Sequence, residues 1–327
     1  MSRYAQAHQN RTGPGDARPT ALQIIQDGGR EGALRDKVFL VTGASSGIGI
    51  ETGRALAATG AKVFLAVRDL KKGEAACKSF LEPGRVGLIE LDVSSLKSVR
   101  ECAAKFLQKS PQLNVLVCNA GVMTIPTREE TEDGFEMQLA VNYLGHFLLF
   151  WLLKDAMAKS STPGFQSRLV NVASSGHQAS EIVWDDFNLK NYNPLTAYGQ
   201  SKLAQIYMAN YVDRHFGSQG IHAISLMPGG ITDTNLSQYT PKEMVDSFKT
   251  DPVLSKWVKS REQGAATTVL AAVGREWEGK GGKYLEDCAV ATSNASIPGL
   301  MGVSDYAYDE GKETRLWELT LKTLGLS

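Results

Sequence analysis

Short apolar runs of strand length alternate with longer segments of helical periodicity along most of the chain. The runs fall at 38–42, 62–66, 87–91, 114–118, 168–172 and 221–226, with a shorter one near 283–285. They are nearly continuous in Val, Leu, Ile, Phe and Ala, the pattern of strands buried on both faces. Helices are predicted between them, at about 48–58, 70–80, 95–109, 132–159, 196–217 and 262–274. Strands alternating with helices of this length predict βαβ units and a parallel sheet. Right-handed crossovers then make the sheet doubly wound, with helices on both faces and about seven strands.

Two stretches break the alternation. Residues 1–18 are polar, with Gly13, Pro14 and Gly15 followed by Pro19. That composition predicts poor order. Thr20 is placed to cap a short amphipathic helix over 21–26, ended by Gly28-Gly29 and packed as a strap on the domain. Residues 1–35 are therefore expected to form a partly disordered extension, and 36–327 a single catalytic domain. The second stretch, 232–261, is polar with Pro241, Pro252 and spaced Met244, Phe248 and Trp257. It follows the sixth strand, at the carboxyl edge of the sheet where ligands bind in open α/β folds. A mobile lid is expected there, contributing Met244, Phe248 or Trp257 to an apolar pocket wall.

Charge and composition narrow the function. The 327 residues carry 35 basic and 35 acidic side chains, formal net charge zero. That argues against nucleic acid or an anionic membrane as the main partner. The longest apolar run near the middle, 147–153, is too short to span a bilayer. The N-terminus carries no apolar signal region. Cys77, Cys102, Cys118 and Cys288 are scattered. They are expected as reduced thiols in a cytoplasmic protein. His146, His177 and His215 show no metal-ligand spacing and are expected in structural or surface roles.

Candidate chemistry sits in two places. Thr42-Gly43-Ala44-Ser45-Ser46-Gly47-Ile48-Gly49 follows the first strand and opens the first long helix. Strand, glycine turn and helix is the context that lets backbone approach a pyrophosphate at a helix N-terminus. Far downstream, Tyr198 and Lys202 stand four apart in a helical segment and so share one face. A neighbouring ammonium lowers a phenol pKa from about 10 toward neutrality. Such a Tyr is a general acid/base.

With its Gly-x-x-x-Gly-x-Gly spacing and the later Tyr-x-x-x-Lys, the chain resembles the short-chain dehydrogenase/reductase family. Leu91-Asp92-Val93, Cys118-Asn119-Ala120-Gly121, Val141-Asn142-Tyr143-Leu144-Gly145, Val170-Asn171-Val172-Ala173-Ser174-Ser175 and Pro228-Gly229 follow in family order. The resemblance covers roughly residues 36–290 and implies a Rossmann-type fold. Trp184-Asp185-Asp186-Phe187-Asn188, in a long gap before Tyr198, is similar to the branch of retinol-dehydrogenase-like and WW-domain-oxidoreductase-like proteins. The chain also looks like fungal relatives of that branch, some of which act in secondary metabolism.

The resemblance implies roles residue by residue. Gly43, Ser45, Ser46, Gly47, Ile48 and Gly49 would cradle the cofactor phosphates. Asp92 would contact the adenine amine, with Val93 on the ring. Asn119, Ala120 and Gly121 would line the ribose side. Pro228, Gly229 and Ile231 would border the nicotinamide, where Thr232, Asp233 and Thr234 leave open which hydroxyl takes part. Tyr198 supplies a proton, and Ser174 or else Ser175 a second hydrogen bond. Lys202 tunes Tyr198 and reaches the ribose, and Asn142 holds a water that links Lys202 to solvent.

Arg68 ends the second strand with no acid at the strand's last position, which favours a 2′-phosphate and hence NADP(H). The expected activity is an NADP(H)-dependent interconversion of an alcohol with a ketone or aldehyde on a fairly apolar small molecule. Cofactor-assisted epimerisation, dehydration or enoyl reduction, and a catalytically silent NADP-binding scaffold, are the alternatives. Helices 132–159 and 196–217 carry more apolar residues than one core-facing stripe needs. Among them are Leu144, Phe147, Phe150, Trp151, Ile206 and Tyr207, which predicts a homodimer or homotetramer.

Overall fold

The computed structural model describes residues 2–293 and 299–326. Eight strands form one sheet: β1 Val38–Thr42, β2 Lys62–Val67, β3 Val86–Glu90, β4 Val115–Cys118, β5 Ser167–Val172, β6 Ile221–Leu226, β7 Lys283–Glu286 and β8 Ala289–Val290. Their order is β3-β2-β1-β4-β5-β6-β7-β8. All neighbours are parallel except β8, which runs back along β7. The Rossmann-type doubly wound sheet expected from the alternation is present. The eighth strand is a two-residue return too short to leave a periodic signal.

The helices are α1 Ala5–Gln9, α2 Ala21–Asp27, α3 Gly47–Ala58, α4 Leu70–Cys77, α5 Leu96–Lys109, α6 Met137–Leu139, α7 Gly145–Ser160, α8 Pro194–Phe216, α9 Lys242–Thr250, α10 Leu254–Trp257, α11 Arg261–Gly264, α12 Ala266–Val273 and α13 Glu310–Leu324. Successive β1 residues serve opposite faces, as the two-residue period of a strand requires. Leu40 joins Phe64, Phe106, Leu116 and Leu169 in one core layer. Phe39 and Val41 join Val63, Leu65, Val117 and Val170 in the other. α5, α7 and α8 cover the first face, α3 and α12 the second, with α2 lying against both.

Several boundaries differ from the periodicity. The segment expected as one helix over 132–159 starts only at α6, where the Glu136 carboxylate accepts from Gln138 N and Leu139 N. A π-helical turn, Ala140–Leu144, then separates α6 from α7. The helix expected over 262–274 is divided at Ala265 into α11 and α12. α13 was not expected at all. Asp309 caps it by accepting from Lys312 N, and Gly325 ends it at φ +62°.

α13 answers the surplus of apolar residues on α7 and α8. Leu144, Phe147, Phe150, Ile206 and Tyr207 are all fully buried inside the chain. Trp317 of α13 stacks on Tyr211 at 4.2 Å and meets the Phe147 ring edge-on at 4.7 Å. The face the sequence assigned to a subunit interface is covered by the chain's own C-terminal helix.

The N-terminal lead is packed where composition predicted poor order. Arg18 is buried, paired to Asp16 at 2.8 Å, and donates to Val258 O at 2.7 Å. Arg11 pairs with Asp287 at 2.7 Å and lies over the Trp257 ring at 3.5 Å. Val258, Asp287 and Trp257 are more than two hundred residues away, so local composition could not register them. The helix expected over 21–26 is present as α2, with the Thr20 hydroxyl accepting from Gln23 N at 3.2 Å.

Candidate active site

The chain order reverses between β1 and β4, and the carboxyl ends of the strands open onto a crevice there. The glycine loop lines it. Gly43 has φ +68°, and a Cβ on Gly49 would lie 2.3 Å from Gly43 O, so only glycine lets α3 start this close to β1. Ser46 caps α3 without a side-chain bond, which leaves the first-turn N–H groups open to an anion. Thr42 Oγ1 accepts from Asn119 N at 2.9 Å and Ala120 N at 3.0 Å, joining the loop to the end of β4. Asn119 Nδ2 donates to Thr42 O at 2.9 Å, while its buried Oδ1 has no partner. An uncapped helix start beside an orphaned buried acceptor suits a phosphate next to a ribose hydroxyl, so the residues present fit a dinucleotide. Gly121 lies beside them, where a Cβ would be 3.2 Å from Asn142 Oδ1.

At the end of β2, Arg68 is exposed. The neighbouring Asp69 is occupied in capping α4, accepting from Lys72 N at 3.1 Å. Asp92 Oδ1 accepts from Ser94 N at 2.9 Å and Ser94 Oγ at 2.6 Å, which orients the carboxylate after β3. Val93 is buried, and its carbonyl would be 2.1 Å from a Cβ on Gly145, so α7 approaches here only through a glycine.

After β6, Gly229 adopts φ +104° against the Lys259 side chain, and Lys259 Nζ donates to Pro228 O at 3.1 Å. Lys259 also pairs with Asp287 at 2.7 Å. Ile231 and Ile48 meet over Gly264. Thr234 settles against Gly47, with its Cγ2 3.1 Å from where a Cβ would stand, while Asp233 pairs with Arg261 at 2.9 Å. Of the three candidates 232–234, Thr234 is the one at the glycine loop. Residues 232–261 leave and rejoin the sheet at a closed neck, where Lys259 N donates to Gly230 O at 2.8 Å. Phe248 and Trp257 face a cavity of about 40 Å³ shared with Met227 and Met301. Met244 is 54% exposed and does not line this cavity.

α8 carries Tyr198 and Lys202 inward. Asn193 caps it, its Oδ1 accepting from Leu195 N and Thr196 N at 3.0 Å each. The Tyr198 ring lies on Gly176, where a Cβ would be 2.5 Å from Tyr198 Cε1. Ser174, two residues past β5, has extended backbone, and its Oγ accepts at 3.0 Å from the N–H of Gly176, the glycine that the Tyr198 ring covers. Ser175 begins the following 3-10 turn. Lys202 Nζ donates to Val172 O and Gln205 Oε1, each at 2.9 Å, and sits 5.7 Å from the Tyr198 ring centroid. Asn142, in the π-helical turn, is clamped: its Oδ1 accepts from Val122 N at 2.9 Å, and its Nδ2 donates to Ser201 Oγ at 2.8 Å.

The electrostatics differ from the simple expectation for a Tyr–Lys pair. Burial pushes Tyr198 up to about 12, with the Ser174 hydrogen bond opposing it. Burial also brings Lys202 down to about 7. Spacing shows that two groups share a helix face but not that both leave water, and here desolvation of each charged form dominates. Tyr198 is therefore a protonated phenol at neutral pH beside an amine whose charged form burial disfavours. Lys259, Gly176, His177 and Gln205 were missed because each acts through a tertiary contact and belongs to none of the motifs.

Two buried histidines predict acid sensitivity. His146 Nδ1 faces Asn142 O at 3.1 Å and its Nε2 faces Thr42 Oγ1 at 2.9 Å. Burial lowers both His146 and His177 to about 4. Between pH 6.5 and 4 the unfolded chain takes up these protons and the native chain does not. Stability is thus intact above 6.5 and falls as pH drops toward 4, by up to ~3 kcal/mol per ring. Urea midpoints at pH 7 and 4.5 should show the drop, and His146→Gln should reduce it. Equal midpoints would contradict neutral burial.

The fold and this constellation match known proteins. Residues 37–244 fit the short chain dehydrogenase family. The chain is 55% identical to short-chain dehydrogenase/reductase prx1 of Penicillium roqueforti over 99% of this chain and 96% of that one. It is 38% identical to retinol dehydrogenase 13 of Homo sapiens, over 89% and 85%. A crystal structure of an uncharacterized protein from Mycobacterium Paratuberculosis superposes with TM-score 0.67 at 30% identity, covering 90% of this chain and 94% of that one. The chain belongs to the short-chain dehydrogenase/reductase family. Membership makes it an oxidoreductase that works with a nicotinamide cofactor. Among the described residues no helix is long and apolar enough to cross a membrane.

Proposed function

We propose that the chain is an NADP(H)-dependent dehydrogenase/reductase that interconverts an alcohol with a ketone or aldehyde on a fairly apolar small molecule. The observation that carries the reading is buried Tyr198 packed with Ser174 around Gly176, beside buried Lys202 and next to an uncapped helix start. A bound nicotinamide supplies or accepts the hydride. Ser174 Oγ holds the substrate oxygen, and Tyr198 gives it a proton as negative charge builds there. Burial favours this, since a phenol raised to about 12 is fully protonated at neutral pH. Lys202 stabilises the tyrosinate left behind. Gly43, Ser45, Ser46, Gly47, Ile48 and Gly49 hold the phosphates. Asp92 and Val93 hold the adenine, Asn119 to Gly121 the ribose, and Pro228, Gly229 and Ile231 the nicotinamide side. Asn142 fixes the β4 loop to α8 around Lys202. Phe248 and Trp257 of the excursion 232–261 close over the substrate with Met227 and Met301. The test is NADPH consumption across a panel of aliphatic, alicyclic and aromatic carbonyls. No turnover with any of them would move the reading to cofactor-assisted isomerisation or a silent scaffold.

Arg68 carries the cofactor preference. Its guanidinium suits a 2′-phosphate through charge-assisted bonds worth ~1.5–3 kcal/mol. Arg68→Asp should weaken NADPH roughly 10- to 150-fold relative to NADH in fluorescence titrations. Unchanged constants for both would make Arg68 a bystander.

A further inference from the structure

We infer that His177 is a positioning residue for Ser174: its Nδ1 proton holds the Ser174 carbonyl and so sets the Ser174–Tyr198 geometry, while the C-terminal segment 299–308 fixes the tautomer that provides it. The inference rests on the reading of Ser174 and Tyr198 as the reacting pair. His177 is buried one turn beyond Ser174. Its Nδ1 lies 2.6 Å from Ser174 O, which already accepts from His177 N at 3.1 Å. Its Nε2 accepts from Ser304 N at 3.1 Å. A backbone amide can only donate and a carbonyl can only accept, so the two partners fix one tautomer, with the proton on Nδ1. The Tyr284 ring holds the imidazole edge-on at 5.0 Å.

Further hydrogen bonds tie the same turn to the same segment. Tyr306 Oη donates to His177 O at 3.0 Å. Gln178 Nε2 donates to Met301 O at 2.8 Å, and its Oε1 accepts from Gly299 N at 3.3 Å. Gly302 N in turn donates to Glu286 Oε2 at 2.9 Å, anchoring the segment to β7. The 3-10 turn Ser175–Ala179 therefore has Tyr198 packed on one of its residues, Gly176, and the C-terminal segment fastened to the next two. His177 touches both Ser174 and the segment. A hydroxyl that must hold substrate to within about half an ångström needs such a support.

Three variants separate the roles. Asn carries its amide at about the reach of Nδ1 and can keep the bond to Ser174 O. Gln carries its amide at about the reach of Nε2 and can keep only the bond from Ser304 N. NADPH affinity by fluorescence and the thermal midpoint serve as folding controls. With hexanal, cyclohexanone and benzaldehyde as probes, kcat should fall about tenfold or more in His177→Gln and His177→Ala. It should stay within about threefold in His177→Asn, with KM and NADPH affinity little changed. Full activity in all three, equal loss in all three, or rescue by Gln with loss in Asn would overturn the inference. Nitrogen-15 correlation spectra give a readout that needs no turnover. The wild-type His177 ring should show the proton on Nδ1 throughout neutral pH, and loss of its Ser304 contact in His177→Asn should speed amide exchange at Ser304. A proton on Nε2 would overturn the positioning role even if every probe is turned over. Inactivity of the wild type toward all probes, with the Nδ1 proton observed, would instead count against the reductase reading alone.

Discussion

Tyr198→Phe should lower turnover of any carbonyl the enzyme reduces by roughly 100- to 10,000-fold, the usual contribution of a positioned general acid. NADPH affinity should stay within a few-fold. The phenol's proton is needed only as charge develops on the substrate oxygen, so its loss affects the transition state and not the ground state. The ring itself is retained, and with it the packing on Gly176 that excludes any side chain there. The phenol is buried beside Ser174, and Phe keeps the ring's volume, so the cost to folding should be modest. Single-turnover rates with NADPH prebound would isolate the chemical step. A Phe variant with near-normal rates would remove Tyr198 as the acid and leave Lys202, lowered to about 7, as the remaining candidate.

Trp317→Ala should destabilise the protein by ~3–5 kcal/mol, the range for emptying a well-packed aromatic site. Trp317 is 4% exposed and lies among the rings of Phe147, Phe150, Trp151, Tyr211 and Phe216. Polar contacts hold α13 in the same place. Buried Glu313 accepts from Asn210 Nδ2 at 2.9 Å and Arg214 Nη1 at 2.6 Å, and Tyr143 Oη meets Thr320 Oγ1 at 2.8 Å. The full chain should therefore scatter light as a 35.4 kDa monomer at micromolar concentration, since the apolar face of α7 and α8 is already covered. Removing residues 310–327 should uncover that face and drive self-association. A stable dimer of the full chain, with Trp317→Ala no less stable than wild type, would return the interface to α7 and α8.

The N-terminal lead and α13 show where sequence reading stops. Residues 2–18 are polar and rich in turn formers, and nothing local distinguishes them from a disordered tail. Arg18 and Arg11 become ordered only because Val258, Trp257 and Asp287 are brought to them. The segment 310–324 has an ordinary amphipathic pattern, but its apolar side is needed only once α7 and α8 stand next to each other. Lys202 makes the same point for chemistry. Its spacing from Tyr198 is visible in the sequence, whereas its orientation toward Val172 O and Gln205 depends on how deeply α8 is buried.

The sequence by itself determined the strand–helix alternation, the parallel sheet, the glycine loop at the start of α3 and the Tyr198–Lys202 face. Each of these follows from periodicity or from glycine's backbone freedom over a few neighbouring residues. Only the tertiary structure decided the π-helical turn at Asn142, the cover over α7 and α8, the anchoring of the lead, the direction of the Tyr198 and Lys202 shifts, and the place of His177 between Ser174 and Ser304. Those depend on burial and on pairing between distant residues. Desolvation and long-range hydrogen bonds are set by what packs around a group, and local order along the chain carries no record of it.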